Sequence, residues 1–397
     1  MIKADDASLT SLALSPDGLR LVTVAASKEA RIWDIASQRQ LAVLQGHLKQ
    51  IGAIAVTPDG DQVVTASWDR TVRAWKMASG EELLDIKDLP IDHAARSQYS
   101  LLVTPDGQRL VVGGYDNGVH ILDLKSGRER MVLRGHTSAV FGLAMTPDGS
   151  RLVSGSDDGT ARVWDMSTGR ELMVLRGHTG LLARVTQIWI TNDGSRVFTN
   201  SWDTTTRVWD LATKGSEPVV LKGHASKVFS NVASPDGRLL LTASADGTAP
   251  VWDAETGREA KVLTHTSGVN TAIFMPDGAH VVTGSGDNIA RVWNVETGNA
   301  VLAIEGHAGA VRCLAVSTDG SRIVTGAEDA TARIWDAKTG RRLTVLEGHR
   351  GDVVTVALTP DGTRVLTGSL DRLIRMWHPA ANSVCLSVTS TSCRGSP

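Results

Sequence analysis

Residues 134–165 read RGHTSAVFGLAMTPDGSRLVSGSDDGTARVWD. Val140 to Met145 is a short apolar run, Pro147-Asp148-Gly149 a tight turn, and Arg151 to Ser156 an alternating run. Asp157-Asp158-Gly159 turns again, Thr160 to Trp164 makes a third strand, and Thr168-Gly169 leads into a fourth at Glu171 to Leu175. Short β-rich runs separated by Gly, Asp and Pro are hairpin signals, and no helical periodicity competes with them. The unit returns along the chain, ending at Trp33-Asp34, Trp75-Lys76, Leu122-Asp123, Trp164-Asp165, Trp209-Asp210, Trp252-Asp253, Trp293-Asn294, Trp335-Asp336 and Trp377-His378. The spacings are 42, 47, 42, 45, 43, 41, 42 and 42 residues. A four-stranded unit of this size cannot bury its own faces, so it must stack on its siblings.

Composition narrows the classes. Hydrophobic residues make up 42% of the 397, enough for a core, and a repeat array of this length can be one body. The formal net charge is −2 and no basic run occurs, which argues against a nucleic-acid footprint. No stretch approaches 18 apolar residues and the N-terminal residues lack an apolar segment, so neither membrane span nor signal peptide is expected. Three cysteines (Cys313, Cys385, Cys393) make no disulfide framework, and a cytoplasmic setting is the expectation.

Gly-His at the start of the units and Trp-Asp at their end make residues 4–388 resemble a WD-repeat β-propeller protein. The resemblance implies an all-β propeller, with the nine repeats as four-stranded blades over 1–388; the small, polar residues 389–397 are expected to be a disordered tail. It also implies a structural tetrad per blade, joining a loop His, a Ser/Thr, a turn Asp and the Trp. Seven units carry all four: His47/Thr65/Asp69/Trp75, His136/Ser154/Asp158/Trp164, His178/Thr199/Asp203/Trp209, His224/Thr242/Asp246/Trp252, His265/Thr283/Asp287/Trp293, His307/Thr325/Asp329/Trp335 and His349/Thr367/Asp371/Trp377. Unit one offers Asp5, Thr23, Ser27 and Trp33; unit three has Val112, Asp116 and Leu122, with His93 one residue out of register. Those two blades are expected to be held mainly by packing. Two closures are open: one ring of nine, or seven units from the third onward with two left over. One ring is preferred, because orphan blades would expose large apolar faces. The last unit is expected to bring its own fourth strand, Val384 to Val388.

A His-Asp-hydroxyl set looks like a nucleophilic triad, but recurring seven times beside a Trp it reads as structural. His93, His120, His280 and His378 form no sequence cluster and show no metal spacing, and no phosphate-binding glycine loop occurs. Neither an enzyme nor a cofactor is expected. Pro250 takes a position where other units carry Arg, and a local irregularity in the third strand is expected there.

The resemblance implies a binding face made by the d–a loops (between units) and the b–c turns (before the third strand). Trp68, Tyr115 and Trp202 precede a turn Asp, Phe141 and Phe229 follow the tetrad His by five residues, and Tyr99 fills that slot in unit three. Leu370 occupies the pre-Asp slot of unit nine, and Arg184, Lys227, Arg312, Asp157, Glu328 and Asp352 are the polar neighbours. Aromatics among Arg and acidic residues resemble protein hot spots. Trp189, Phe198 and Phe274 are expected to pack between blades. The expected protein is a monomeric scaffold for a protein or peptide. The repeat wording also resembles bacterial WD-repeat arrays attached to signalling ATPases or kinases. The alternative is therefore the sensor portion of such a protein, reading a small molecule or nucleic acid at the channel.

Overall fold

The computed structural model describes residues 2–3, 9–25, 27–37, 39–90, 101–179, 184–191, 193–201, 203, 205–213, 218–221, 223–359, 362–371, 373–378 and 383–384. His93, Asp5, Tyr99, Trp202, Cys385, Cys393 and the 389–397 segment lie outside them.

Blade four shows how the sequence makes a sheet. Val140–Met145, Arg151–Ser156, Thr160–Asp165 and Glu171–Arg176 pair in that order, each antiparallel to the next. Asp148 fixes the first turn by accepting the Ser150 amide at 3.0 Å and the Thr146 hydroxyl at 2.5 Å. Gly149 there takes φ 69°, which a side chain would resist.

Successive side chains of a strand point to opposite faces, so a central strand feeds two seams. Leu152 packs between blades three and four, while its neighbour Val153 packs between four and five. Nine such clusters exist, one for each pair of neighbouring blades. The decisive one joins Leu366, Ile374 and Met376 of blade nine to Leu21, Trp33 and Ile35 at the start of the chain. Arg364 of blade nine also donates to the Ile35 carbonyl. The nine blades therefore form one ring, and the seven-plus-two alternative falls.

Closure differs from expectation in one respect. The outer edge of the strand Leu373–His378 is shared: Ile2–Lys3 pairs at Ile374 and Leu373, while Ser383–Val384 pairs at His378 and Trp377. Both ends of the chain thus hold the last blade, which does not rely on its own fourth strand alone. In blade six the ladder between second and third strands stops at Leu241–Val251, because Pro250 has no amide hydrogen to continue it.

At seven of the nine seams consecutive blades meet through their first strands, which line the axis. Eight of those strands carry a β-bulge at one common slot, occupied by Thr10, Gly52, Phe141, Thr186, Phe229, Asn270, Arg312 and Val354. A bulge re-aims the extra residue away from the ladder. It does so here at the end of the strand nearest the d–a loop.

Candidate partner-binding face

The tetrads build this face by tying each d–a loop to the b–c turn beside it. In blade four the Trp164 indole N–H donates to Ser154 Oγ at 2.8 Å, and Ser154 Oγ lies 2.8 Å from His136 Nε2. His136 Nδ1 stands 2.8 Å from Asp158. The partners assign the tautomer: Nδ1–H donates to the carboxylate and Nε2 accepts from the hydroxyl. The same contacts span 2.7–3.1 Å in blades two, five, six, eight and nine. The hydroxyl in those blades comes from Thr65, Thr199, Thr242, Thr325 and Thr367 in turn, each accepting the indole N–H and facing the His. Thr65, Thr199, Thr242, Thr325 and Thr367 are at most 1% exposed, so no partner can touch them. They lie on the central second strand, walled in by both neighbouring sheets, and serve the face only by fixing the His above them.

Each Asp also accepts the amide of the residue after the His, as from Leu48 at 2.7 Å and Arg350 at 2.8 Å. Burial opposes charge on Asp158, yet bonds from His136, Thr160 and Thr137 hold its carboxyl well below the usual range. The loops are thereby preorganised.

Blade seven departs from the tetrad that its sequence spells. His265 Nδ1 is 3.8 Å from Asp287, and Arg291 donates to both, at 2.6 Å and 2.8 Å. The cause lies in the loop. Thr264 pairs where Arg176 does in blade four, and the glycine that follows there (Gly177) has no counterpart before His265. The shorter loop draws the ring back and the Arg fills the gap. With Nδ1 accepting, Nε2–H must donate to Thr283, reversing the proton order of the other blades.

Blade three also corrects its reading. His120, from the strand Gly118–Asp123, is buried and bridges Asp116 at 3.0 Å and Glu129 at 2.7 Å. It stands at the position of Arg162 in blade four, so this blade has a polar clasp of its own and does not rest on packing alone. In blade one the Trp33 indole still reaches Thr23, at 2.9 Å.

On the rim, one set of expected residues comes together across three blades. Tyr115 meets Phe141 edge-on with ring centroids 5.5 Å apart. The Arg184 guanidinium lies 5.8 Å from the Phe141 ring and binds Asp157 at 2.7 Å. Arg312 and Glu328 pair with each other in blade eight. Others stay apart. Phe229 is exposed with Lys227 near it, Leu370 is exposed in blade nine, and half-buried Trp68 packs against the seam of blades two and three. Among the described residues no group of three or more His, Cys, Asp and Glu stands where it could hold a metal.

Comparison with known families matches the WD domain, G-beta repeat, to residues 2–34, 38–76, 127–165, 169–210, 215–253, 257–294, 298–336 and 340–378. The chain belongs to the WD-repeat family. The matches skip the third blade, where Leu122 replaces the Trp and His120 the Arg. Among solved structures this WD-repeat chain is similar to the computationally designed Ika8 protein, with 30% identity, a TM-score of 0.62, and coverage of 84% of this chain and 98% of that one. No curated protein matches it. WD-repeat propellers in general are interaction scaffolds without enzymatic activity. No helix among the described residues is long and apolar enough to cross a membrane.

Two residues of this WD face escaped the sequence reading. Leu48, directly after a tetrad His, is 82% exposed, and Val354 is exposed at the bulge slot of blade nine. The slot of Val354 was legible, since Phe141 and Phe229 share it; the slot of Leu48 holds no large apolar residue in the other complete units, so nothing periodic marks it. Trp189 is half-exposed rather than packed between blades, whereas Phe198 and Phe274 are buried. Trp189 lines a depression of about 420 Å³ at the opposite mouth of the channel, among the ends of four first strands.

Proposed function

We propose that this protein is a non-enzymatic scaffold that presents its d–a/b–c face to a protein or peptide segment in the cytoplasm. The observation that carries this reading is that four exposed apolar side chains (Leu48, Phe229, Val354, Leu370) stand at loop ends clamped by buried tetrads. The Tyr115–Phe141–Arg184–Asp157 set adds an ordered aromatic and charged neighbour. Rigid apolar groups rimmed by polar ones are how protein hot spots are built. A sensor that reads nucleic acid at the channel needs cations converging on its mouth. Arg184 and Arg312 at that rim are each held by a carboxylate, and the exposed Lys28, Lys49, Lys227 and Arg350 are spread over four blades.

Affinity capture with wild type, Tyr115→Ala/Phe229→Ala, and Leu19→Ser as control tests the reading, since Leu19 is exposed at an a–b turn on the other end. The partner should be lost in the double variant and kept in the control. Loss in the control alone would refute the face.

A further inference from the structure

Blade six lacks one cation that its siblings carry, while the groups that would receive it remain. In blades two, three and four the third strand bears a cation two residues before its Trp or Leu122, and the fourth strand answers with Glu. The pairs are Arg73 with Glu82, His120 with Glu129 at 2.7 Å, and Arg162 with Glu171. Blade six keeps that register, with Glu259 opposite Trp252, but holds Pro250 where the cation stands.

Four neighbours register the loss. Glu259 is exposed and meets no cation among the described residues, since Lys261 runs against Gly298 of blade seven. Val262, which pairs with Pro250, is 42% exposed. The valine of that slot is half-buried in blades one, three, four, five and eight, where it pairs with an Arg or with His120. His224 is half-buried, whereas the other six tetrad histidines are buried. A Cβ built on Gly135 would lie 2.5 Å from the Arg162 guanidinium; on Gly223 its nearest atoms belong to Trp252 at 3.0 Å and Glu259 at 3.4 Å. Lys222 lies outside the described residues; its counterparts Gln45 and Arg134 bond within the preceding blade, to Glu29 and Asp116.

We propose that this notch at the seam of blades five and six binds an arginine side chain of the partner protein, which supplies the missing guanidinium. This rests on the scaffold reading above. The aliphatic stem covers Val262, and the guanidinium donates to Glu259 as Arg162 does to Glu171. The tetrad Asp246 is a second acceptor, since Arg291 and Arg333 reach Asp287 and Asp329 at 2.8 Å and 3.4 Å in blades seven and eight. A planar fork of five N–H groups can serve two carboxylates at once, which a compact ammonium does less well.

The test titrates acetyl-arginine amide, acetyl-lysine amide and acetyl-citrulline amide into the full chain and follows the Gly223 amide by NMR. The arginine probe alone should shift that signal saturably, binding more weakly as salt rises. Glu259→Gln should lower its affinity about tenfold, because a charge-assisted bond is lost. Pro250→Arg should abolish binding by supplying the guanidinium within the chain. Pro250→Val restores the strand amide without a guanidinium and should bind as wild type does. The captured partner should follow the same order, held by wild type and Pro250→Val and about tenfold more weakly by Pro250→Arg. A melting temperature no lower than that of wild type checks that the variants fold. Equal shifts with the lysine or citrulline probe, binding that survives Pro250→Arg, binding seen only after Lys222→Ala, or no saturable shift overturns the proposal. A partner that binds Pro250→Arg as well as wild type also overturns it. If that partner still depends on Tyr115 and Phe229, the scaffold reading stands; if it depends on neither, that reading falls as well.

Discussion

Arg291 donates to Nδ1 of His265 at 2.6 Å, where the tetrads of six other blades put a carboxylate. Burial and then the Arg291 charge push the imidazole down to about 4 from its usual 6.5. The folded state therefore binds this proton less well than the unfolded chain, so stability is full above pH 6.5 and drains as pH falls toward 4. A shift of this size corresponds to about 3 kcal/mol. Wild type should lose more stability over that window than His265→Gln, compared by urea unfolding at each pH; parallel curves would contradict the assignment.

If the missing loop residue is what opens this tetrad, inserting a glycine between Thr264 and His265 should close it. His265 should then bond Asp287, and stability at neutral pH should rise by about 1 kcal/mol. Thermal unfolding reads the gain, and a slowly exchanging Nδ1 proton in the NMR spectrum reads the bond.

The seam of blades five and six is held by a buried amide pair, Asn200 and Asn231 each donating to the other, with Thr206 donating to Asn200 at 2.8 Å. The corresponding pair at the previous seam is Gly155 and Ile188, where a Cβ on the glycine would lie 2.9 Å from the isoleucine. Asn231→Leu alone takes from Asn200 both bonds to the facing amide and should cost about 1–3 kcal/mol. Asn200→Gly/Asn231→Leu should recover most of that loss, a non-additivity that a double-mutant cycle measures.

Blade three should depend on His120. Its replacement by Ala leaves Asp116 without its bond to the imidazole, and Arg134 at 3.3 Å is the remaining cation beside that carboxylate. A loss of about 1–3 kcal/mol in chemical unfolding is expected. Asp158→Ala in blade four should cost about as much, since it frees His136 and the Thr137 and Thr160 amides together.

The fold was legible because its signals are periodic: a Trp, a His and a turn Asp in register, repeated until one stacked arrangement remains. Single departures were not. His120 looked like one more scattered histidine, since only the pairing of Leu122 with Glu129 and Gly118 with Arg134 shows which carboxylates flank it. His265 and Asp287 were named from spacing, but a one-residue deletion moves a ring by more than a hydrogen bond tolerates. On the rim, slots could be named but exposure could not. Phe141 and Phe229 share a bulge, yet one packs on Tyr115 and Arg184 while the other stands in solvent. Leu370 and Leu48 lie at opposite ends of the repeat array, and only ring closure leaves a single blade between them.

The most direct measurement is an amide hydrogen-exchange footprint of the full chain with its captured partner. Protection should fall on the d–a loops and b–c turns, as at 47–52, 115–117, 227–229 and 368–371, and leave the a–b and c–d turns unchanged. Protection confined to the a–b turns, around Pro235 and Pro276 beside Trp189, would place the partner on the other end of the ring and contradict the account.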